Sequence, residues 1–416
     1  MRFHVLDGWR GVSALLVVLF HIPVLTSISV SPFVRNSFLF VDFFFVLSGF
    51  VITYAYDERV TERAGLAGFV VRRFGRLWPL HVFMLGCMIA LELLKLLLTG
   101  SYGSGSQAPF TGRESIPLIL SNLTLLQAAR PEPLLSWNTP SWSISAEFWA
   151  YLLFALVRNA FGKYSTAVAA LIALASCGII LGFSTRAMDV VAWLGFFRCL
   201  FGFFTGHLLF RFYRSAPLTR WPAFRSLRNV TLLEIGGVLA VILFVSGAGR
   251  TETAVLAPLL FAAVIYVFAS EAGMISRLLR TRAFDILGRL SYSVYMIHAV
   301  LFLATIGLVH FIEKRGGLHL TAGSPEGGDY IDSNPLISFG GEWLMLFLTI
   351  LLVAGVVAMS ALTYRFIELP GRWVFGRWAA LIESRGPDRE GARNPIGLSG
   401  SRGGDARPSF GPDLPA

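Results

Sequence analysis

Two ionisable side chains in the first apolar stretch have the types and spacing for chemistry. Arg10 stands near its start, and His21 follows eleven residues later. Eleven residues turn an α-helix through about 1100°, roughly 20° past three full turns, and rise about 16 Å. The two side chains therefore share one helical face. An imidazole takes a proton from a hydroxyl near neutral pH, so His21 is a candidate general base. The alternative is a structural His with an Arg that only sets orientation.

The basic stretch Val71–Pro79 offers a second candidate site. Arg73 and Arg76 are three residues apart, so on a helical turn they point the same way. Two guanidinium groups can hold phosphate oxygens bidentately, which predicts an anion site just before the third apolar segment. Taken alone, the cluster is more typical of the positive charges that orient a membrane span.

Other polar side chains interrupt apolar segments, where each needs a partner or a purpose. Asp42 and Glu147 are expected to orient His21 or to pair with Arg10. Arg198 must find an acid or line a wet cavity, and a structural ion pair explains it equally well.

His298 shares a helical face with Ser291 and Tyr295. Hydrogen bonding in the core explains that arrangement about as well as substrate contact does. The sequence has no Gly-x-Ser-x-Gly elbow, no His-x4-Asp motif and no P-loop. No cluster of metal ligands stands out, and we expect no metal site.

The elements that must position these residues are membrane helices. Of 416 residues, 55% are hydrophobic and 14% are charged, with a mean hydropathy of +0.65. Apolar runs of about 20 residues are long enough to cross a bilayer. We therefore predict an all-α integral membrane protein, a bundle of about ten transmembrane helices. The predicted segments are 11–30, 37–56, 77–98, 142–159, 164–183, 189–210, 230–248, 252–270, 289–312 and 341–367.

The distribution of Lys and Arg predicts the orientation. With the N-terminus inside, the cytoplasmic segments up to Arg385 carry 22 of these residues and the opposite loops carry seven. This positive-inside bias places both termini in the cytoplasm. Because the net charge of +10 is spread over short clusters between apolar runs, nucleic acid is not an expected partner. The expected partner of the apolar surface is the lipid bilayer.

Two long connections, about 99–141 and 313–340, separate apolar segments. The first includes a short apolar piece, Ile116–Leu126, that cannot span a membrane. After about residue 380 the composition shifts to Gly, Pro, Arg and Ser. We predict one transmembrane domain over 1–380 and a disordered cytoplasmic tail over 381–416.

Six short motifs resemble those of the membrane acyltransferase-3 family, integral membrane O-acyltransferases that modify sugars, antibiotics and lipids. The resemblance covers roughly residues 5–372, in the family's order. The motifs are Leu6–Gly11 with His21 (an Arg-x10-His pattern), Val41–Phe50, Arg73–Pro79 (Arg-x-x-Arg-Leu-x-Pro), Trp142–Glu147 (Trp-Ser-x-x-x-Glu), Ser291–His298 and Glu368–Pro370.

The resemblance implies an acyl-CoA co-substrate, usually acetyl-CoA, with no bound cofactor, and a hydroxyl acceptor on a carbohydrate such as an exopolysaccharide or O-antigen. It implies that His21 is catalytic and that Arg73 and Arg76 bind the CoA phosphates. Arg10 would hold part of the CoA or steady the developing oxyanion. The remaining candidates, expected to support these, are Asp42, Glu147, Ser143, Trp142, Tyr295, His298 and Arg198.

Several alternatives stay open. A His site without an obvious nucleophile favours direct transfer, although Ser48 and Ser143 remain possible acyl carriers. An acceptor that is an antibiotic or a lipid is the alternative to a carbohydrate. A transporter of polar solutes also places charged residues inside a membrane, but we find no internal repeat of the kind many transporters have. The expected location is the inner or plasma membrane. The oligomeric state is not predictable.

Overall fold

A computed structural model describes residues 2–99, 108–129, 135–322 and 336–384. The tail predicted over 381–416 lies outside the described residues from 385 onward, as does the Gly/Ser-rich stretch 101–106. The described chain is almost entirely helical. Its α-helices are α1 His4–Phe20, α2 Pro32–Arg35, α3 Phe40–Tyr56, α4 Arg63–Thr99, α5 Pro117–Leu123, α6 Trp142–Phe161, α7 Ser165–Phe183, α8 Ala192–Ser215, α9 Leu227–Ala248, α10 Ala257–Phe268, α11 Met274–Leu279, α12 Arg282–Gly316, α13 Glu342–Thr363 and α14 Leu369–Ser384.

Seven helical stretches of the described chain are long and apolar enough to cross a membrane. One of them, Thr139–Phe183, contains both α6 and α7. Two predicted segments fall on shorter helices, because α1 has 17 residues and α10 has 12. Each predicted segment coincides at least partly with one helix, and the all-α membrane class is confirmed. The count of ten spans and the orientation stay predictions.

The first predicted segment, 11–30, is displaced from the helix it predicts. α1 begins at His4 and ends at Phe20, so Arg10 lies within the helix rather than at its entrance. Pro23 explains the early end, since a residue before proline avoids the helical conformation and proline has no N–H to donate. His21 is consequently the first residue after the helix.

α4 and α12 extend beyond their predicted segments. α4 starts at Arg63, so the Arg73/Arg76 stretch lies inside the helix and not before it. α12 runs to Gly316 and stops where Gly317 adopts a left-handed φ of 62°, a conformation glycine takes without steric cost. α13 continues through a π-helical turn, Tyr364–Glu368, into α14.

α1 and α12 pack side by side and run parallel. Arg10 contacts Gly288 near the start of this interface, and His21 contacts His298 near its end. Glycine allows the close approach, because a Cβ on Gly11 would lie 2.8 Å from the Gly288 nitrogen. Small residues commonly let membrane helices approach in this way. The interface places Arg10 and His21 on one face, as their spacing predicts.

α3 and α8 also run parallel, joined by polar pairs at successive levels. Asp42 bonds to Arg198 and Thr53 bonds to His207. A Cβ on Gly49 would overlap the Phe203 carbonyl oxygen, so only glycine allows this close approach. The packed core around these helices is rich in phenylalanine, including Phe43, Phe45 and Phe50 of α3, Phe203 and Phe204 of α8, and Phe261 of α10.

A small strand pair covers the end of α1. Thr321–Ala322 pairs antiparallel with Leu336–Ile337, and Ile337 also bridges to Val24, just beyond His21. The Ile337 nitrogen donates to the Pro23 carbonyl at 2.8 Å, and the Leu25 nitrogen donates to the Ile337 carbonyl at 3.0 Å. The connection between α12 and α13 is thereby attached to the segment that follows His21.

Candidate active site

A small, partly open cavity of about 90 Å³ lies between α1, α3, α4, α6 and α12. It brings together side chains from helices that are far apart in the chain. Six of the predicted site residues line it: Arg10, Arg73, Arg76, Ser143, Glu147 and Tyr295. The other five, His21, Asp42, Trp142, Arg198 and His298, lie outside its wall.

Arg10 is held on the face of α1 that packs against α12. Its Nε donates to Ser291 Oγ at 3.1 Å and its Nη2 donates to the Gly288 carbonyl at 3.2 Å. Its Nη1 lies 3.4 Å from Asp7 Oδ1, one turn earlier in α1. These contacts fix the guanidinium on the cavity wall.

Arg73 and Arg76 both line the cavity from α4, but their surroundings differ. Arg73 is buried, its Nη2 donates to the Tyr56 hydroxyl at 2.9 Å, and its guanidinium lies 4.8 Å from the Tyr56 ring centre. Arg76 is partly exposed, and among the described residues it makes no hydrogen bond or ion pair. A guanidinium with unused donors on a cavity wall is suited to bind an anion.

Glu147 belongs to a hydrogen-bonded trio in the same wall. Its Oε1 accepts from Ser48 Oγ at 2.5 Å and from the Tyr151 hydroxyl at 2.6 Å, and those two hydroxyls are 3.0 Å apart. α6 turns this carboxylate toward α3, so its hydrogen bonds go to Ser48 and Tyr151 rather than to Arg10 or His21.

Tyr295 and Ser143 close one end of the cavity. The Tyr295 hydroxyl and Ser143 Oγ are 2.8 Å apart, and both also bond to the Pro140 carbonyl. The Tyr295 ring packs against Phe44 on one side and His298 on the other. Tyr295 thus lines the cavity and also contacts His298, which lies outside the cavity wall.

His21 and His298 form a pair at the end of α1. Their ring centres are 4.8 Å apart. His21 Nδ1 lies 2.9 Å from the Val17 carbonyl and His298 Nδ1 lies 3.3 Å from the Val294 carbonyl. If each Nδ1 carries the proton and donates it to that carbonyl, each Nε2 is a basic nitrogen. His21 is partly exposed, whereas His298 is fully buried and its Nε2 has no partner.

Asp42 and Arg198 pair with each other, away from the cavity. Arg198 Nε donates to Asp42 Oδ1 at 2.9 Å and Nη2 donates to Oδ2 at 2.7 Å. The Phe38 carbonyl accepts a further bond from Nη2, and the Trp142 ring lies 5.8 Å from the guanidinium. The expectation that Asp42 orients His21 or pairs with Arg10 is therefore wrong, because the parallel packing of α3 and α8 satisfies both carboxylate oxygens with Arg198. A buried ion pair of this kind holds two helices in register.

Comparison with known protein families identifies the family of this chain. The sequence model of an acyltransferase domain, acyltransferase-3, matches residues 3–365. The chain belongs to the acyltransferase-3 family. Together with its apolar helices, this makes it a multi-pass membrane protein of that family.

Two curated relatives share parts of the acyltransferase-3 sequence. Protein 2 in the picA locus of Rhizobium radiobacter is 43% identical over 90 residues, which is 21% of this chain and 45% of that protein. Acyltransferase MdmB of Streptomyces mycarofaciens is 33% identical over 142 residues, 33% of this chain and 30% of that protein. The matched segments thus span less than half the length of either relative. No solved structure matches the chain.

Some residues that line the cavity or hold its wall escape prediction from the acyltransferase-3 motifs. Tyr56 and Tyr151 hold Arg73 and Glu147, and Ser48 is anticipated only as a possible acyl carrier. Tyr151 follows Glu147 by four residues, a spacing that places both on one helical face and signals the contact. Tyr56 carries no such signal, because it approaches Arg73 from another helix. The described residues contain no cluster of three or more His, Cys, Asp or Glu side chains that could hold a metal ion.

Proposed function

We propose that this protein transfers an acyl group, acetyl in the first instance, from acyl-CoA to a hydroxyl of a carbohydrate such as an exopolysaccharide, O-antigen or other cell-surface glycan. Acyl-CoA serves as co-substrate and the site is in the inner or plasma membrane. Membership of the acyltransferase-3 family supports the class of reaction. The observation that carries the proposal is Arg76, whose guanidinium has unused donors in a cavity that also contains Arg10 and Arg73.

The cavity suits the donor because CoA carries several phosphate groups. Arg76 and Arg73 bind these phosphates, and Arg10 adds positive charge on the opposite wall. Arg10 lies eleven residues before His21, about 16 Å along α1. That separation favours Arg10 as a CoA contact over Arg10 as the group that steadies an oxyanion at His21. The long arm of CoA carries the thioester from the arginines toward the imidazoles, past Tyr295.

His21 acts as general base on the acceptor hydroxyl. With its Nδ1 proton donated to Val17, Nε2 takes the proton as the hydroxyl oxygen attacks the thioester carbonyl. The C–S bond then breaks, and Nε2 passes the proton to the departing CoA thiolate, which leaves as the free thiol. A positioned general base contributes about 10²- to 10⁴-fold to such a step.

Polar contacts between loops and helix ends support ten spans with both termini cytoplasmic. In that topology each contact joins residues on the same side of the membrane. On the cytoplasmic side these are Arg2–Asp285, Asp57–Arg158, Asp57–Arg211 and Arg72–Glu383, and on the opposite side Asp189–Arg250 and Ser27–Glu342. A missed or extra span in the middle of the chain would place the members of some pairs on opposite sides. A cytoplasmic donor and an acceptor on the other face follow from this topology.

The test uses membranes that contain the wild-type protein or His21→Ala, incubated with acetyl-labelled acetyl-CoA and host glycans. We expect alkali-labile label in the glycan fraction with the wild type and a loss of at least 100-fold with His21→Ala, since the variant lacks the base. His310→Ala is the matched control, because His310 is an exposed histidine near the end of α12, and it should transfer at the wild-type rate.

Equal label from wild type and His21→Ala would remove His21 from the mechanism. Label that appears in lipid or in an added antibiotic, rather than in glycan, would keep the transfer and change the acceptor. A transporter would move a solute without consuming acetyl-CoA, so absence of CoA release with every acceptor would favour transport.

A further inference from the structure

We propose that His21 and His298 together form a binding site for a zinc-class transition-metal ion. The binding does not depend on the proposed function. One consequence does, because a metal ion on the His21 Nε2 would block the proposed general base. The two residues are far apart in the chain, so the pairing becomes visible only when α1 and α12 pack in parallel.

Both imidazoles have the hydrogen bond that metal-ligating histidines usually have. Each Nδ1 contacts the carbonyl of the residue four positions earlier, Val17 for His21 and Val294 for His298. In metal sites the second ring nitrogen typically donates to a backbone carbonyl or a carboxylate, which fixes the ring and leaves the other nitrogen as ligand. Here that arrangement leaves Nε2 as the ligand atom in both rings.

The separation of the rings fits one shared ion. Zinc binds imidazole nitrogen at about 2.0–2.1 Å, and two rings on one tetrahedral ion have centres roughly 5 Å apart. The observed distance between ring centres is 4.8 Å, with the ring planes 53° apart.

The unpaired nitrogen of His298 is a second, independent observation. Its Nε2 is buried without a partner, and the neighbouring side chains include the rings of Tyr295 and Phe302. A buried polar atom without a partner costs free energy. A metal ion bound to both rings would satisfy this nitrogen.

The chemistry of the pair selects the class of ion. Neutral imidazole suits Zn²⁺, Cu²⁺, Co²⁺ and Ni²⁺, whereas Mg²⁺ requires oxygen ligands. Two protein ligands leave the remaining positions to water, so the ion is exchangeable. Zinc should therefore act as a reversible inhibitor of the proposed transfer.

The test measures metal binding by the purified full chain, prepared with an affinity tag that contains no histidine. Zn²⁺ is titrated by calorimetry, and Co²⁺ is titrated by its visible absorption, which reports nitrogen ligands directly. We expect one Zn²⁺ per chain at this site, at least tenfold weaker binding with His21→Ala or His298→Ala, and no change with His310→Ala. Mg²⁺ should neither bind there nor compete.

Thermal unfolding without metal checks the fold of each variant, and His298→Asn replaces His298→Ala if the latter does not fold. Wild-type protein that binds no Zn²⁺, or binding unchanged in the folded His21 and His298 variants, would overturn the proposal. Zinc binding in a protein that shows no transfer would keep the site while the proposed function fails. Transfer that zinc at saturating concentration does not slow would overturn the inhibition.

Discussion

The side chain of Arg76 contributes little to the stability of the fold, because among the described residues it makes no hydrogen bond or ion pair. Arg76→Ala should therefore leave the unfolding temperature nearly unchanged while KM for acyl-CoA rises. Hydrogen bonds to a charged group contribute about 1.5–3 kcal/mol, which corresponds to a rise of roughly 10- to 100-fold. Titration of acyl-CoA against membranes of the variant measures the change.

Arg63→Ala provides the control for this prediction. Arg63 is an exposed arginine at the start of the same helix, so its loss removes one positive charge without touching the cavity. A similar KM for the Arg63 and Arg76 variants would show that only the general positive charge matters. Arg76→Lys should recover part of the affinity, since it keeps the charge and loses the planar fork.

For single residues, the sequence predicts which side chains share a helical face better than it predicts which side chains contact each other. The spacing of Arg73 and Arg76 is enough to place both on one wall, and the spacing of Arg10 and His21 is enough to place both against α12. It cannot assign Asp42 to Arg198, because that choice depends on how α3 and α8 are set against each other. The same limit hides the pairing of His21 with His298.

Helix α1 depends on a glycine contact to place its functional residues. Gly11→Ala would bring a Cβ to 2.8 Å from the Gly288 nitrogen and from Leu287, so the two helices must separate. Overpacking of this kind costs about 1–3 kcal/mol. We expect a lower unfolding temperature in detergent and reduced transfer, since Arg10 and His21 both move with the helix.

Gly307→Ala is the matched control on α12, where an added Cβ meets nothing within 4 Å. It should be neutral or stabilise the helix by up to about 1 kcal/mol. Wild-type stability and transfer in Gly11→Ala would contradict the role given to this contact.

Hydropathy locates the long helices but not their true ends. The apolar pattern of 11–30 continues past Pro23, so it misses the end of α1, and the charged stretch before residue 77 conceals the first turns of α4. Those turns are stabilised by packing against α14, where Arg72 and Glu383 form an ion pair at 2.6 Å. Such contacts join residues distant in sequence, and a local pattern does not contain them.

The orientation of the whole molecule has a direct test. In a variant with Cys87, Cys177 and Cys199 replaced by alanine, single cysteines are introduced at Glu58 or Glu252, both of which are exposed. A membrane-impermeant maleimide applied to intact cells should label Glu252→Cys at once and Glu58→Cys only after permeabilisation. The reverse pattern would invert the topology and place the arginine cavity on the outer side.

The π-helical turn at Tyr364–Glu368 determines how α14 responds to a change in the number of residues before it. Its i to i+5 hydrogen bonds take up one residue more than an α-helical turn, so deleting one residue here would restore the α-helix and keep the register of α14. Inserting one residue would instead rotate all of α14 by about 100°. Gly371 would leave Pro79, against which it packs, and Glu383 would leave Arg72. A substitution elsewhere in α14 disturbs one contact, whereas a single-codon insertion here would disturb every contact of the helix together.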